Sequence, residues 1–380
     1  MRRGTRTRRY AVGAALLLSL VACGDSEEPG SDPVPTPSDS STPSGTDEPT
    51  ADTPSGGTAD APVTLEPVED PLDWQPVEGS ADDVVTRNGT WTLTVAEDGS
   101  TSQLTNQTSD GHSSGQVGAD PGWRVSDGLL DAHWAVVVLQ DEDEEKPSRA
   151  TVTDLDTGKA YELNGKSDVP TTHGGTWALG EGHLLHATID GSGAYCLASV
   201  DLASRASEVA WCAPKRHGFN SARVSPAGDS VLTFDDAQPA CRTVATVAAG
   251  TTTPFEGVAD CKAWDGIAVE DGAVWSVIPN EERIEQAQLY ARTGDGYFDL
   301  GPGTAGSLVW CGDAAYFTRD PQQEGDPAAL MRWAPGSGLA VVYESPEGDA
   351  FIEEPRCGGA VMTLTARTSS GDEQVTADLS

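Results

Sequence analysis

Basic residues are scarce in this chain of 380 residues, which has 23 Lys and Arg against 60 Asp and Glu. Five of the basic residues are arginines within the first nine positions. Without them, 18 basic residues stand against 60 acidic ones, a net charge of −42. A surface of that charge repels phosphate groups. The composition therefore excludes nucleic acid and anionic lipid headgroups as partners of the folded part, and it disfavours acidic substrates.

The sequence also lacks any C-x-x-C pair and any stretch with the periodicity of an amphipathic helix. The first absence argues against redox catalysis and a zinc ribbon, because both use closely spaced cysteine pairs. Because no segment has helical periodicity, short apolar strands are expected to form the core. Ten tryptophans indicate that a large core exists. The prediction is an all-β fold.

The first 22 residues have the layout of an export signal. Arginines precede an uncharged apolar run from Ala11 to Ala22, which is short for a permanent membrane helix. The run ends in Leu20-Val21-Ala22-Cys23, and polar sequence follows at once. This ending resembles the lipobox of bacterial lipoproteins of the actinobacterial cell-surface type. The resemblance implies a signal peptide over 1–22, lipidation (palmitate) of Cys23 and attachment to the outer, extracytoplasmic face of the cell membrane. Both Sec and twin-arginine export are compatible with this leader.

Residues 23–80 are predicted to form a disordered tether. From Gly24 to about Leu72 the chain is mainly Pro, Ser, Thr, Gly, Asp and Glu, with no aromatic and no basic residue. Such a segment buries too little apolar surface to offset its ordering entropy. We expect a flexible spacer that holds a folded domain, residues 81–380, away from the membrane.

A repeat runs through that domain. In each copy a glycine stands just before a short apolar strand, and successive copies are 46, 44, 40 and 46 residues apart. The repeat glycines are Gly182, Gly228, Gly272, Gly312 and Gly358. Four short strands per unit of this length is the pattern of a β-propeller blade.

Two turns carry a family resemblance. Val224-Ser225-Pro226-Ala227-Gly228 resembles the S-P-D-G turn of TolB-type propellers, and Asp154-Leu155-Asp156-Thr157-Gly158 resembles their D-L-x-T-G turn. The resemblance covers residues 85–380 and implies a TolB-like β-propeller domain. Turns of this kind indicate a fold and not a function.

The repeat predicts a single propeller of six blades, starting near Gly122, Gly174, Gly218, Ala259, Gly303 and Gly348. The last unit lacks its outer strand. We therefore expect N-terminal strands to pair into the C-terminal blade, with Trp91 and Leu93 completing the blade of Val375 and Leu379. Such closure also removes free sheet edges. Seven blades are the alternative, because the hairpin around Trp91 has two strands where one suffices.

Six cysteines follow Cys23, an even number that indicates disulfides in an exported chain. The strand register selects three pairs: Cys196–Cys212, Cys241–Cys261 and Cys311–Cys357. The first two join neighbouring antiparallel strands, whose Cα atoms are close enough for a disulfide. The third joins equivalent positions one unit apart, since each of its cysteines directly precedes a repeat glycine.

No catalytic, metal or cofactor site is predicted. Gly111-His112-Ser113-Ser114-Gly115 fits the G-x-S-x-G string of serine hydrolases, but it lacks the following helix that this motif needs. His183 and His186 are three apart on a strand and face opposite sides. The acidic run 141–145 lacks the spacing of a calcium loop and is expected to be a solvated turn. Four tryptophans at equivalent first-strand positions are expected in core or channel packing: Trp123, Trp177, Trp264 and Trp310.

The sequence thus predicts a membrane-anchored extracytoplasmic lipoprotein, a monomer without a cofactor. Its β-propeller is expected to be a binding or assembly module for a protein or cell-envelope ligand. The alternative is a propeller enzyme, a hydrolase or lyase acting on glycans with carboxylates at the channel mouth. Converging carboxylate, arginine and aromatic side chains in the channel would favour the enzyme. A channel filled by apolar side chains would favour the binding module.

Overall fold

The computed structural model describes residues 61–108, 113–280, 283 and 286–380. All regular elements in these residues are β-strands, which confirms the predicted all-β class. No helix in the described part is long and apolar enough to cross a membrane. Cys23, the predicted leader and tether residues 24–60 lie outside the described residues.

Three short strands come first in the described chain: β1 (Val63–Thr64), β2 (Val68–Glu69) and β3 (Gln75–Pro76). The next four sheets each contain four consecutive strands. Blade 1 consists of β4 (Val84–Arg87), β5 (Trp91–Val95), β6 (Thr101–Asn106) and β7 (Ser113–Gly118). Blade 2 consists of β8 (Trp123–Leu130), β9 (Trp134–Asp141), β10 (Arg149–Asp154) and β11 (Ala160–Leu163). Blade 3 consists of β12 (Trp177–Gly180), β13 (His183–Ile189), β14 (Tyr195–Asp201) and β15 (Ser207–Cys212).

The remaining blades follow in chain order. Blade 4 consists of β16 (His217–Ser225), β17 (Gly228–Asp235), β18 (Arg242–Ala248) and β19 (Thr251–Pro254). Blade 5 consists of β20 (Ala263–Val269), β21 (Gly272–Val277), β22 (Ala287–Thr293) and β23 (Gly296–Gly303). Blade 6 consists of β24 (Val309–Cys311), β25 (Ala314–Arg319), β26 (Pro327–Ala334) and β27 (Gly338–Gly348). Blade 7 consists of β28 (Phe351–Ile352), β29 (Arg356–Gly358), β30 (Val361–Arg367) and β31 (Glu373–Asp378).

The propeller has seven blades, so the prediction of six is wrong and the alternative of seven is correct. The hairpin of Trp91 and Leu93 is the middle of a complete blade, in which β4 precedes it and β7 follows it. Strand β7 reads Ser-Ser-Gly-Gln-Val-Gly and has one large apolar residue. Because apolar alternation is what reveals a strand in a sequence, this strand gave no signal.

Residues 61–76 lie along the outer edges of the last three blades, and we call them the N-terminal belt. Strand β1 pairs in parallel with β23 of blade 5, and β2 pairs in parallel with β27 of blade 6. Strand β3 pairs antiparallel with β31 and completes blade 7. An N-terminal strand therefore does close the C-terminal blade, but it is Gln75–Pro76 and not the hairpin of Trp91. The domain begins well before the expected boundary at residue 81.

Six clusters of buried apolar side chains lie between successive blades, from blade 1 to blade 7. Between blades 5 and 6, for example, Leu289, Phe317 and Trp333 belong to one cluster. Because successive side chains of a strand point to opposite faces, each blade presents one face to each neighbour. The blades pack side by side in this way, and the innermost strand of each blade lies beside a central channel.

Candidate functional site

The seven innermost strands, β4, β8, β12, β16, β20, β24 and β29, contribute to the wall of this channel. The cavity has a volume of about 860 Å³. Its wall carries both charged and apolar side chains, and Trp310 of blade 6 is among them. The ionisable residues of the wall are Asp127, Asp131, His133, Glu181, Arg223, Glu354 and Arg356.

Five charged residues from four different blades form a group that we call the channel cluster. Its members are Asp127 of blade 2, Arg223 of blade 4, Asp265 of blade 5, and Glu354 and Arg356 of blade 7. Glu354 lies in the loop just before β29, and the other four are on inner strands. The cluster therefore exists only because the ring closes.

A β-bulge precedes three members of the cluster. The strand register shifts between Val125 and Asp127 in β8, and between Ala263 and Asp265 in β20. It also shifts in β16 just before Arg223. A bulge re-aims the side chains that follow it, and bulges are over-represented next to active sites. These three bulges set where the side chains of Asp127, Arg223 and Asp265 lie relative to the rest of their inner strands.

The bulge of β16 includes a residue in an unfavourable backbone conformation. Ser221 has a φ of 47° although it is not glycine. The next amide, that of Ala222, donates a hydrogen bond to the Thr176 hydroxyl oxygen of blade 3 at 2.8 Å. Non-glycine residues in this region cost free energy and concentrate at functional sites. The strain lies two residues before Arg223, on the channel wall.

Ion pairs join the cluster. A terminal nitrogen of Arg223, Nη2, donates a hydrogen bond to Glu354 Oε1 at 3.2 Å and lies 3.8 Å from Asp265 Oδ2. Asp265 Oδ2 also accepts a hydrogen bond from the backbone amide of Leu308 at 3.2 Å. On another part of the wall, Arg356 Nη1 lies 3.6 Å from Asp127 Oδ1. Each arginine of the cluster thus lies beside at least one carboxylate.

Burial changes the acid–base properties of the cluster. It raises the pKa of Asp127 above its ordinary value, and the charge of Arg356 opposes that shift. It also raises the pKa of Asp265, against the effect of Arg223. Burial by itself lowers the pKa of Arg223, but the neighbouring carboxylates outweigh it and leave the pKa raised. Ionisable groups with such shifts are concentrated at functional sites.

Several buried polar atoms of the wall have no hydrogen-bond partner among the described residues. They are Nε of Arg223, Oδ1 of Asp265 and Nε1 of Trp310. Asp265 is only 1% exposed, so bulk solvent does not reach its carboxylate. Leaving a buried polar atom without a partner costs roughly 1–3 kcal/mol. Three such atoms in one region are a cost to stability, as expected where a wall is shaped for a ligand.

The histidines do not come together. His183 Nε2 lies 2.8 Å from Asp229 Oδ1, and the two residues join blades 3 and 4. His186 is buried, and its ring stacks on Trp177 with 5.2 Å between the centroids. His133 is exposed and contacts Asp156 at 3.0 Å. Among the described residues, one group has the proximity of metal ligands, Asp190 with Cys196 and Cys212, and its two sulfurs are bonded to each other.

The serine-hydrolase string lies away from the channel. Its first two residues, Gly111 and His112, are outside the described residues. Ser113, the position of the nucleophile, begins β7, the outermost strand of blade 1. Strand β7 is followed by residues 119–122, which have no regular structure beyond a turn, and not by a helix. The required strand–turn–helix elbow is therefore not present in the described part of this region.

The acidic run and the tryptophans serve mainly structural contacts. Asp141, the first residue of the run, is buried and accepts a hydrogen bond from Lys146 Nζ at 2.6 Å. The Trp123 ring packs beneath the Arg149 guanidinium at 3.7 Å, and Trp264 lies near Arg242. Trp177 and Trp310 line the channel.

The structure forms the three disulfides that the strand register predicts. Cys196 and Cys212 face each other on β14 and β15, and a disulfide joins Cys241 to Cys261. Cys311 and Cys357 join the inner strands of blades 6 and 7 beside the channel. They fasten the strand that carries Arg356 to its neighbour.

Sequence reasoning missed the channel cluster, although a signal was present. Asp127-Gly128 and Asp265-Gly266 occupy matching positions in their inner strands. A Cβ at Gly128 would lie 2.8 Å from a Val95 methyl carbon, and one at Gly266 would lie 2.8 Å from the Phe255 ring. The glycine thus lets the preceding blade approach, while the aspartate belongs to the cluster. Aligning the first strands of the repeats would have found the pair.

No protein-family model and no curated protein matches this chain. Solved structures do resemble it. The β-propeller domain of the Trilobed protease from Pyrococcus furiosus is 11% identical with a TM-score of 0.50, over 84% of this chain and 96% of that one. Oligogalacturonate lyase from Vibrio parahaemolyticus is 11% identical with a TM-score of 0.50, over 84% and 99%. Prolyl oligopeptidase B from Galerina marginata is 10% identical with a TM-score of 0.51, over 81% of this chain and 49% of that one. At such identities the likeness shows the fold alone, that of a β-propeller.

Proposed function

We propose that this chain is an extracytoplasmic lipoprotein, anchored through Cys23, whose β-propeller binds a polar ligand of the cell envelope in its channel. The observation that carries the proposal is the channel cluster: four of its charged side chains, from three blades, line one cavity, and the buried Asp265 of a fourth blade lies 3.8 Å from Arg223. Three bulges and the strained Ser221 hold the wall in that shape. Pockets of roughly 300–1,000 Å³ with a few convergent polar groups are the usual form of a ligand site.

Binding explains the pairing of the charges better than catalysis does. Each of the more accessible carboxylates, Asp127 and Glu354, faces an arginine. Glycoside hydrolysis uses two carboxyl groups on either side of the bond, one of them protonated. In this channel an arginine lies beside each of the two carboxylates, and paired charges of this kind suit the charge-assisted binding of a ligand.

The anchor is tested by a Cys23→Ser variant of the full chain. The lipobox resemblance predicts that the variant loses lipid labelling and leaves the membrane fraction. Retention of the variant in the membrane, without cleavage before residue 23, would contradict the lipoprotein part of the proposal.

The binding role is tested with envelope fractions of the source cell. The mature chain is immobilised, and material that it retains is compared with material retained by Arg356→Gln. Arg216→Gln is the matched control, because Arg216 is exposed and pairs with Asp236 outside the channel wall. We expect the wild type and the control to retain the same compound and Arg356→Gln to lose it. Equal retention by all three proteins would contradict a channel site.

A glycan-degrading enzyme is the second candidate, because the channel does combine carboxylates, arginines and Trp310. Asp127 would be the acid, since burial raises its pKa. Incubation with envelope polysaccharides should then release new chain ends, and Asp127→Asn should abolish that release. Release that persists in Asp127→Asn would remove this residue from the mechanism.

A further inference from the structure

We propose that the channel takes a zwitterionic ligand, a free amino acid or a short peptide with both termini free. This inference rests on the proposed binding function and names the chemistry of the ligand. Arg356 would receive the carboxylate of the ligand, and Glu354 together with Asp127 would receive its ammonium group.

Arg356 has hydrogen-bonding capacity to spare. Its side chain is 31% exposed and lines the cavity. Among the described residues its one carboxylate partner is Asp127, and the distance of 3.6 Å is too long for a hydrogen bond. A guanidinium has five N–H donors in a planar fork that matches a carboxylate. A carboxylate entering the channel finds these donors already aimed at the cavity.

The two carboxylates of the cluster that line the cavity, Asp127 and Glu354, have capacity of the opposite kind, as hydrogen-bond acceptors. The Glu354 side chain is 44% exposed, and one of its oxygens accepts a single hydrogen bond from Arg223. Asp127 is 28% exposed and has an ion pair but no hydrogen bond to Arg356. A carboxylate group accepts about four hydrogen bonds, so both can receive an ammonium group.

The balance of charge favours a ligand that carries both signs. The cluster holds two arginines and three carboxylates, and both signs are present on the cavity wall, with Arg223 and Arg356 beside Glu354 and Asp127. A simple anion that approaches Arg356 also meets Asp127 and Glu354, and a simple cation also meets the guanidinium groups. A like charge at such distances is repulsive, and burial strengthens the effect. A zwitterion satisfies both kinds of group without adding net charge.

A metal ion fits the wall poorly. Among the described residues, no three metal-ligating side chains of the channel lie close enough together to share a cation, and the one such group found is at the Cys196–Cys212 disulfide. Two arginines lie where a divalent cation would have to bind. The cavity of about 860 Å³ is also far larger than an ion requires and has room for several residues of peptide.

Three matched peptides test the proposal by calorimetry on the mature full-length chain. Trialanine has both terminal charges, N-acetyl-trialanine has lost the ammonium group, and trialanine amide has lost the carboxylate. We expect trialanine to bind, and each capped peptide to bind at least tenfold more weakly. Because the probes differ and the protein does not, this comparison is independent of how any variant folds.

Variants then assign each terminus. Arg356→Gln should weaken the binding of trialanine at least tenfold. It should leave the affinity for trialanine amide unchanged, because the amide has no carboxylate for Arg356 to bind. Glu354→Gln should weaken the binding of trialanine and leave the affinity for N-acetyl-trialanine unchanged, because that peptide has no ammonium group. Arg216→Gln, outside the channel wall, should change none of these affinities.

Several outcomes would overturn the inference. Equal affinity for all three peptides shows that the termini are not recognised. Binding of chitotriose, with loss in Arg356→Gln, assigns the channel to glycans. If no peptide binds while the wild type still retains an envelope compound that Arg356→Gln loses, the zwitterion is wrong and the binding function stands. If no peptide binds and the variant also retains that compound, both proposals fail.

Discussion

The two faces of blade 7 differ in chemistry although they belong to the same strands. The face toward blade 6 is apolar, with Met362, Leu364, Ala366 and Val375 buried in one cluster. The face toward blade 1 is polar and just as buried, with Thr363, Thr365, Gln374 and Thr376. Six of the seven contacts around the ring contain an apolar cluster in the described residues, and this seventh one does not.

Hydrogen bonds and ion pairs replace apolar packing at the contact between blades 7 and 1, which we call the seam. Gln374 Nε2 donates to the Asp83 carbonyl oxygen and to the Thr365 hydroxyl, both at 3.0 Å. Arg367 contacts Asp82 at 2.8 Å, and also Glu353 and Asp372 of its own blade. Such bonds are directional, and each contributes only about 0.5–1.5 kcal/mol net. The ring is therefore joined by directional hydrogen bonds and ion pairs where its first and last blades meet, and by apolar burial elsewhere.

The largest loss of stability is expected from removing β31, which carries residues of both faces of blade 7. A chain that ends at Gly371 loses β31, including the buried Val375 and Ala377, and leaves β3 without its partner. We expect the loss to approach the whole stability of a domain, about 5–15 kcal/mol. Thermal melting measures it, with deletion of residues 24–60 as the control that should leave the melt unchanged. A truncated chain that melts like the intact one would contradict closure through blade 7.

Deleting the N-terminal belt, residues 61–76, should have the next largest effect. Leu65, Leu72 and Trp74 each pack against a core cluster, and Trp74 Nε1 donates to the Val342 carbonyl oxygen at 2.8 Å. Three partly buried side chains correspond to about 3–5 kcal/mol. Urea denaturation of this deletion is compared with that of the 24–60 deletion. Equal midpoints would show that the belt is not part of the folded domain.

Single substitutions on opposite faces of blade 7 test the comparison directly. Leu364→Ala empties a site that is 1% exposed and faces blade 6, and should cost about 2–5 kcal/mol. Gln374→Ala removes the bond to Asp83 across the seam and the bond to Thr365 within blade 7, and should cost about 1–2 kcal/mol. Both are read from chemical denaturation. A Gln374→Ala cost as large as that of Leu364→Ala would mean that the polar seam is as strong as the apolar one.

A polar contact within an otherwise apolar interface should show a pH dependence. A hydrogen bond to the Asp229 carboxylate raises the pKa of His183 above its ordinary value of 6.5, against the effect of burial. A raised folded-state pKa stabilises the protein below pH 6.5, and that stabilisation is lost as the pH rises through the folded-state value. We expect about 1 kcal/mol, the size of a favourable partly exposed pair.

NMR titration of His183 and denaturation at two pH values check this contact between blades 3 and 4. Asp229→Asn should return the His183 pKa toward its ordinary value and flatten the pH dependence of stability. His217, outside this contact, is the internal control for the titration. An unchanged His183 titration in Asp229→Asn would contradict the pairing.

The smallest expected change in stability is an increase, for a substitution of Thr363. Thr363 is 2% exposed on the polar face of blade 7, and its hydroxyl has no hydrogen-bond partner among the described residues. Thr363→Val keeps the shape and removes the unsatisfied hydroxyl, so it should raise stability by up to about 1 kcal/mol. Thr376→Val is the matched control and should destabilise, because its hydroxyl donates to the Met362 carbonyl oxygen at 2.9 Å. Destabilisation by Thr363→Val would show that the hydroxyl is bonded.

The sequence predicted those parts of the fold that repeat locally. The glycine before each second strand marks blades 3 to 7, and the cysteine register led to all three disulfides. It did not reveal blade 1, because strand β7 has almost no apolar residues. It also placed residues 61–76 in the tether, because two-residue strands on a blade edge need little apolar sequence.

By itself the sequence determined the strand periodicity, the disulfide pairs and the acidic balance, since each depends on residues close together or on composition alone. Tertiary structure decided the number of blades, the strand that closes the ring and the site. Asp127 and Arg356 are more than two hundred residues apart in the chain and 3.6 Å apart in space. No local pattern marks such a pair, because their distance is set by the number of blades between them and by the closure of the ring.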